Sequence, residues 1–370
     1  MNFEPRNLFV TGGAGFIGSN FVHHWLANST TGHVVVYDAL TYAGNIENLS
    51  GLKDDPRYSF VRGDICDEAT VRALLLQNEI DTIAHFAAES HVDRSILGPH
   101  DFIRTNVVGT HALLEAAKAL WIDQKTVPAH RFHHVSTDEV YGSLGPNDPP
   151  FREESAYAPN SPYSASKAAS DHLVRAYHET YGLRTTVTNC SNNYGPYHFP
   201  EKLIPLTIVN ILLGKDLPVY GDGLQIRDWL HVEDHCAAIA LTLKKGQPGE
   251  IYNIGGNSET TNIQVVHTLC QLVDERLKAK PSYRNSFPAS PIFNEAQALQ
   301  LISHVRDRPG HDRRYAINYS KAACNLGYSP ARDLNTGLAS TVDWYLRHVK
   351  WWQDLLGRDY SHWLKKNYGA

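Results

Sequence analysis

The 370-residue sequence predicts an α/β protein: a doubly wound, mainly parallel sheet carrying a smaller α/β substrate-binding cap. Three observations lead there. Short apolar runs alternate with helical patterns through the first half. A glycine-rich turn joins the first apolar run to the first helical segment. After Cys190, proline and glycine break the rhythm and the chain becomes irregular.

The elements follow in order. Asn7–Thr11 is a short apolar strand, and the pattern from Phe16 to Ala27 is helical. Val34–Tyr37 is apolar throughout, as a strand buried on both faces must be. Tyr58–Arg62, Thr82–Phe86, Arg131–Ser136 and Thr185–Asn189 read as further strands. Helices are expected at Glu68–Leu76, Asp101–Leu120 and Tyr163–Tyr181. This alternation implies parallel strands joined by right-handed crossovers. In the second half Pro196, Pro200, Pro205, Pro218, Gly221 and Gly223 read as interruptions, and helical patterns return at Asp234–Lys244 and Ile263–Lys278. Asn285–Leu299 matches no element. The expected division gives residues 1–190 to the first unit and 191–370 mainly to the cap, with returns to the first unit near 231–256 and 312–325.

Composition narrows the class. Apolar residues make up 42% and charged residues 20%, which suits a packed core and not a disordered chain. A net charge of -5 offers no broad basic surface for nucleic acid. No apolar run reaches the length of a membrane span, and the polar Met1–Arg6 segment lacks the apolar stretch of a signal peptide. Cys66, Cys190, Cys236, Cys270 and Cys324 are dispersed, so reduced thiols and a cytoplasmic setting are expected. No histidine set has ligand spacing and no metal is expected; His130, His133 and His134 read as solvated strand-edge residues.

The glycine turn is Thr11-Gly-Gly-Ala-Gly-Phe-Ile-Gly18, read as Gly13-x-Gly15-x-x-Gly18 or Gly12-x-x-Gly15-x-x-Gly18. Small residues let the backbone turn sharply and let a pyrophosphate approach the helix N-terminus, where unpaired N–H groups favour an anion. Asp38 stands twenty residues after Gly18, at the end of the second strand. A carboxylate there accepts from adenosine ribose hydroxyls and repels a 2′-phosphate, so NAD is expected rather than NADP. Asp64 and Ile65 follow the third strand, where an adenine would lie. Phe86-Ala87-Ala88-Glu89-Ser90 ends the fourth, with small residues that let a cofactor cross the sheet edge.

Chemistry is read from two segments. Tyr163 and Lys167 are one turn apart on a helix that follows the fifth strand. An ammonium beside a phenol favours phenolate, and the tyrosine could then take a proton from a sugar hydroxyl. The fifth strand ends in Thr137-Asp138-Glu139, at the sheet edge that faces the ligand crevice. Elimination of water needs a base for the carbon acid beside a ketone and an acid for the leaving hydroxyl. Neighbouring carboxyls repel, so one keeps its proton. A solvated acidic turn is the competing reading of the same pair.

With these motifs the chain resembles the extended short-chain dehydrogenase/reductase family, and within it the nucleotide-sugar dehydratases. The resemblance is carried by the glycine loop, Tyr163-x3-Lys167, Ala87–Ser95, Ser136–Gly142, Ser191–Lys202, Ile226–Val232 and Asp307–Tyr315. It implies a Rossmann-type fold, NAD as cofactor and dTDP-glucose as substrate. Tyr163 would take the O4 proton while C4 hydride goes to NAD, Glu139 would remove the C5 proton, Asp138 would protonate the leaving C6 hydroxyl, and hydride would return to C6. By the same resemblance NAD would be held by Gly12, Gly15, Phe16, Ile17, Gly18, Asp38, Ala39, Leu40, Thr41, Asp64, Ile65, Phe86, Ala87, Ala88, Ser90, Thr105, Tyr163, Lys167 and Asn193. Ser90 and Thr137 would face the glucose. Asn192, Lys202, Leu203, Pro218, Tyr220, Arg227, Asn262, Arg308, His311 and Tyr368 would surround the nucleotide diphosphate. Two departures stand out: Ala39 where the pattern favours Lys, and an unfamiliar stretch at Ser282–Leu299. The helices at Asp101–Leu120 and Tyr163–Tyr181 carry apolar residues beyond one face, and the resemblance implies a homodimer packed through them. Other readings are a dehydratase or epimerase for UDP- or GDP-sugars, and a non-catalytic NAD-binding protein; the Asp138–Glu139 pair argues against the epimerase, and the whole set Thr137, Asp138, Glu139, Tyr163 and Lys167 against the mere binder.

Overall fold

A computed structural model describes residues 3–30 and 32–357. In the first half, β1 (Asn7–Thr11), α1 (Phe16–Asn28), β2 (His33–Asp38), β3 (Tyr58–Arg62), α2 (Glu68–Gln77) and β4 (Thr82–His85) follow one another. Then come α3 (Val92–Leu97), α4 (Pro99–Phe102), α5 (Thr110–Lys118), β5 (Arg131–Thr137), α6 (Pro162–Tyr181) and β6 (Thr185–Cys190). The second half holds β7 (Asn192–Tyr194), α7 (Leu203–Leu213), β8 (Leu217–Tyr220), β9 (Ile226–His231), α8 (Val232–Lys245), β10 (Ile251–Ile254), β11 (Glu259–Thr261) and α9 (Asn262–Ala279). It ends with β12 (Ile302–Val305), α10 (Ser320–Leu326), α11 (Leu334–Arg347) and α12 (Val349–Leu355).

Seven strands form a parallel sheet in the order β10-β6-β5-β4-β1-β2-β3. The chain winds outward from β1 through β2 to β3, then returns to lay β4 on the other side of β1. The crevice between the carboxyl ends of β1 and β4 is therefore the topological switch point, where such sheets bind ligands. Apolar layers cover both faces. On one, Phe9, Val35, Ile83 and Phe132 meet Leu113, Leu120 and Val174 from the flanking helices. On the other, Leu8, Val10 and Val34 meet Phe21 and Trp25 of α1 and Ile239 of α8. β10 pairs with β6 in this sheet, and α10 packs on α8.

The cap has its own core, built from α7, α9 and α11 with Trp229 of β9. Two small sheets frame it, β11-β9-β7 and β12-β8. α7 corrects the reading of Pro205 as an interruption. The proline lies in the first turn of that helix, where its N–H would have had no intrahelical partner. Nine of the eleven α7 residues are buried, so it shows no amphipathic stripe. The expected helix at Asp101–Leu120 is present as one run from Pro99 to Asp123, with π-helical turns at Ile103–Gly109 and Ala119–Asp123. A Cβ at Gly109 would stand 2.5 Å from Ile65 Cδ1, so glycine is what lets this segment close on the sheet. The stretch around 285–299 is a chain of 3-10 turns, Pro281–Asn285, Pro291–Asn294 and Ala298–Leu301, pinned by buried Phe287 and Ala298.

The histidines of β5 are also corrected. β5 is an interior strand, and His133 and His134 are fully shut from solvent while His130 is nearly so. His133 hydrogen-bonds Thr186 and Thr188 across to β6. Burial keeps all three rings below the usual imidazole range, hence neutral.

Candidate active site

A single cavity of about 450 Å³ runs from the β1–α1 turn, over the carboxyl ends of β4 and β5, to the cap. At its first end the walls are mostly backbone. Gly12 adopts φ 68°, and a Cβ there would stand 2.6 Å from the Ala87 nitrogen. A Cβ at Gly18 would meet the Gly12 oxygen at 2.3 Å. These two glycines let the ends of β1, β4 and the start of α1 touch. Gly15 caps α1 without a side-chain hydrogen bond, so the first-turn N–H groups remain for an anion.

Asp38 is buried, and each carboxylate oxygen takes one backbone N–H, from Ala14 at 2.9 Å and Leu40 at 2.8 Å. Burial raises its pKa and the two donors oppose the rise. It thus clamps the glycine loop to the next turn, and its remaining lone pairs face the cavity. Leu40, expected at the cofactor, is not in the cavity wall. It packs on the sheet-face core, and its contribution is the N–H that holds Asp38. Ala39, Thr41, Phe16 and Ile17 do line the wall, as do Asp64, Ile65, Phe86, Ala87, Ala88, Ser90, Thr105 and Asn193. Asp64 receives the Cys66 N–H and the Arg104 guanidinium. Thr105 reaches the wall from the π-helical turn, where Asn106 ties down Glu89 through both its N–H and its carbonyl. The Asn193 amide is held by His235, Cys190 and the Ser191 carbonyl.

Mid-cavity, β5 delivers Thr137, whose hydroxyl caps the turn Asp138–Tyr141 through the Glu139 N–H. Asp138 is 1% exposed, and its Oδ2 has no hydrogen-bond partner among the described residues. Burial first, then the neighbouring charges of Glu139 and Asp228, push its carboxyl well above the ordinary range. Burial also raises Glu139, but Arg308, Arg227 and Lys202 all pull it back toward the carboxylate. The two adjacent acids therefore differ. Burial raises both, and more of the nearby cations oppose the rise at Glu139 than at Asp138.

Tyr163 enters from the first turn of α6, which Ser161 and Ser164 close as a capping box. Burial and Glu139 hold its phenol well above the usual range, while Thr137 lowers it. Lys167 lies one turn on, fully buried, its Nζ donating to the Val135 carbonyl at 2.9 Å. It lines the same cavity as Tyr163, one turn further along one helix.

The far end is lined by side chains. Lys202 reaches the Ser90 carbonyl at 3.0 Å. Arg227 stacks over the Tyr315 ring at 4.2 Å and donates to the Ile226 and Asp312 carbonyls. Arg308 pairs with Asp93 at 3.1 Å, and Asp93 also accepts from the Tyr220 hydroxyl at 3.1 Å. His311 bonds Asp307 at 2.6 Å, and burial followed by Arg308 lowers it to about 4. Asn192 Oδ1, Asn262 Oδ1 and Arg308 Nε are buried without hydrogen-bond partners among the described residues. Leu203 and Pro218 complete the wall. Tyr368 lies outside the described residues.

Sequence reasoning missed Asp93, which fastens Tyr220 and Arg308 of the cavity wall, and Glu201, which pairs with Arg94 at 3.1 Å while Arg94 stacks over Tyr42 at 3.8 Å. Asp93 lies inside the segment Ala87–Ser95, so its place in a motif was visible. Its partners are not, because they stand 127 and 215 residues away.

Comparison with known proteins agrees with this geometry. The family model described as GDP-mannose 4,6 dehydratase matches residues 9–341. A dTDP-glucose 4,6-dehydratase of Xanthomonas campestris pv. campestris is 56% identical over 95% of this chain and 96% of its own. One of Escherichia coli is 52% identical over 96% of this chain and 97% of its own. The crystal structure of the dTDP-glucose 4,6-dehydratase DesIV from Streptomyces venezuelae, with NAD and TYD bound, superposes with a TM-score of 0.82 at 46% identity, covering 94% of this chain and 99% of that one. The parallel sheet with its glycine turn, the Tyr163–Lys167 pair and the Asp138–Glu139 pair thus stand in a chain that belongs to the dTDP-glucose 4,6-dehydratase family of extended short-chain dehydrogenases/reductases.

Proposed function

We propose that the protein is an NAD-dependent hydro-lyase that converts dTDP-glucose to dTDP-4-keto-6-deoxyglucose and water. The observation that carries this reading is the asymmetric acid pair. A protonated Asp138 and a cation-flanked Glu139 stand beside Tyr163 in a cavity continuous with a dinucleotide turn. An epimerase or a cofactor-binding protein has no use for such a pair.

The glycine turn and the first-turn N–H groups of α1 suit a pyrophosphate, and Asp38 suits the adenosine ribose of NAD. When bound, the nicotinamide accepts hydride from C4 of the sugar and gives it back to C6. Tyr163 Oη takes the O4 proton, assisted by Thr137. Glu139 takes the C5 proton that the 4-ketone has acidified, and a proton is returned to C5 once C6 has received its hydride. Asp138 gives its proton to the C6 hydroxyl as that bond breaks. Positioned acid–base groups contribute about 10²–10⁴-fold each. Arg227, Arg308, Lys202 and the unpartnered amide oxygens of Asn192 and Asn262 bind the nucleotide diphosphate, where the arginine fork offers two donors at once. The first unit, through residue 190 with β10, α8 and α10, holds the cofactor, and the remaining second half holds the nucleotide sugar. We also assign a cytoplasmic setting, supported by five free cysteines among the described residues.

A homodimer is part of the proposal. Leu97, Ile103, Val108 and Tyr181 are 43–56% exposed on the helical layer formed by α3, the π-helical turn and α6. Light scattering at micromolar concentration is expected to give twice the 41.4 kDa chain mass; a mass of one chain overturns it.

The activity is tested with C4-deuterated dTDP-glucose and mass spectrometry, without added NADH. Loss of one water with deuterium retained at C6 is the expected result. Unchanged mass with an altered sugar would make it an epimerase. Reaction with UDP- or GDP-sugars alone would keep the chemistry and change the nucleotide.

A further inference from the structure

Beside Tyr163 the cavity wall continues through Lys167 into a buried pair, His134 and Asp171, to which the dehydration steps assign no part. Lys167 Nζ is 3.2 Å from His134 Nε2, and that same ring nitrogen is 3.2 Å from Asp171 Oδ1. One nitrogen therefore faces an ammonium and a carboxylate together. It can accept from the first or donate to the second, not both. Lys167, His134 and Asp171 are 4%, 0% and 3% exposed. Asp171 Oδ2 accepts from Ser136 Oγ at 2.9 Å and Tyr157 Oη at 3.0 Å. Its Oδ1 makes no hydrogen bond among the described residues. A dry carboxylate oxygen of this kind is costly unless an opposite charge faces it.

We propose that Asp171 is a positioning residue whose carboxylate is the counter-charge that keeps Lys167 an ammonium, with His134 as the spacer between them. The placement holds for any ligand; its use in catalysis rests on the dehydratase reading above. Helical spacing brings the pair together, since Tyr163, Lys167 and Asp171 succeed one another at four-residue steps along one buried face of α6. The other groups packed around the cluster carry no charge near neutral pH. His85 on β4 and His133 and His134 on β5 are held neutral by burial. Burial raises Cys190 on β6 and Tyr157, which stay protonated, and it raises the Tyr163 phenol as well. His172, next on α6, is exposed. Burial lowers Lys167 to about 8 and raises Asp171 to about 6, and each draws the other back toward its charged form.

The test is an NMR titration of the Lys167 Nζ in lysine-¹⁵N-labelled holoprotein, assigned by the signal lost in Lys167→Met. In Asp171→Asn the midpoint is expected to fall by about one pH unit or more, a tenfold loss of ammonium at a given pH. The alkaline limb of kcat should move down with it, while KM holds. An unmoved Lys167 midpoint overturns the proposal. Coupling is reciprocal, so the Asp171 carboxyl should titrate higher in Lys167→Met than in the native protein. Equal midpoints there overturn the proposal even if Asp171→Asn does not fold. Coupled midpoints in a protein that never dehydrates dTDP-glucose would keep this inference and remove the activity assigned above.

Discussion

The two ends of the cavity are built by different means. At the β1–α1 turn the walls are main chain: Gly12 and Gly18 let three elements touch, and Asp38 uses both oxygens to fasten the turn. At the cap the walls are side chains from β8, β9, the start of α9 and the segment around Arg308, held by long-range pairs such as Asp93–Arg308. The first end offers shape and N–H groups and leaves almost no room for an added atom at Gly12 and Gly18. The second offers charge, and several of its polar atoms have no hydrogen-bond partner among the described residues. The reacting acids stand where the two meet, and the cap's cations are what make Glu139 differ from Asp138.

The largest effects are expected at that junction. Tyr163→Phe and Glu139→Gln should each lower kcat by about 10²–10⁴-fold, with thermal stability and bound NAD retained. Loss of NAD along with activity would mean that the junction belongs to the cofactor end.

The next effect is at the cap. Arg308→Met removes a charged hydrogen-bonding partner and should raise KM by about 10–100-fold. It should also move the pH profile. Glu139 must be ionised to take the C5 proton, so the rate falls as pH drops through its raised pKa. Arg308 is the strongest of the groups holding that pKa down. Its removal therefore shifts the acid limb of kcat to higher pH. A higher KM with the acid limb unmoved would separate binding from acid tuning.

At the glycine end, Gly12→Ala should cost about 1–3 kcal/mol of stability through its left-handed backbone, aggravated by the 2.6 Å approach to Ala87. The melting temperature and the fraction of retained NAD should fall together, with KM for the sugar scarcely altered in the loaded fraction. The smallest effect is at Ala39, which lines the same end without charge. Ala39→Lys should strengthen NAD retention by about 0.2–1 kcal/mol, more at low salt than at high. An equal gain at both salt concentrations would rule out a charge contact.

What could be read in advance follows the same divide. The β1 and β3 bounds, the glycine turn, Asp38 and the Tyr163–Lys167 pair are encoded within one or two turns of chain, where period and spacing speak directly. The sequence also determined that two adjacent acids end β5. Tertiary structure alone decided that their surroundings differ, because Arg227, Arg308 and Lys202 act on Glu139 from distant elements. It decided that α7 is a helix, since a segment apolar on all sides has no period to read until the cap core closes around it. It turned the β5 histidines from expected surface residues into neutral core groups by placing β5 inside the sheet. Local geometry is written in neighbours along the chain, whereas charge state depends on burial and on every ion within a few ångströms, and those are set only when distant segments pack.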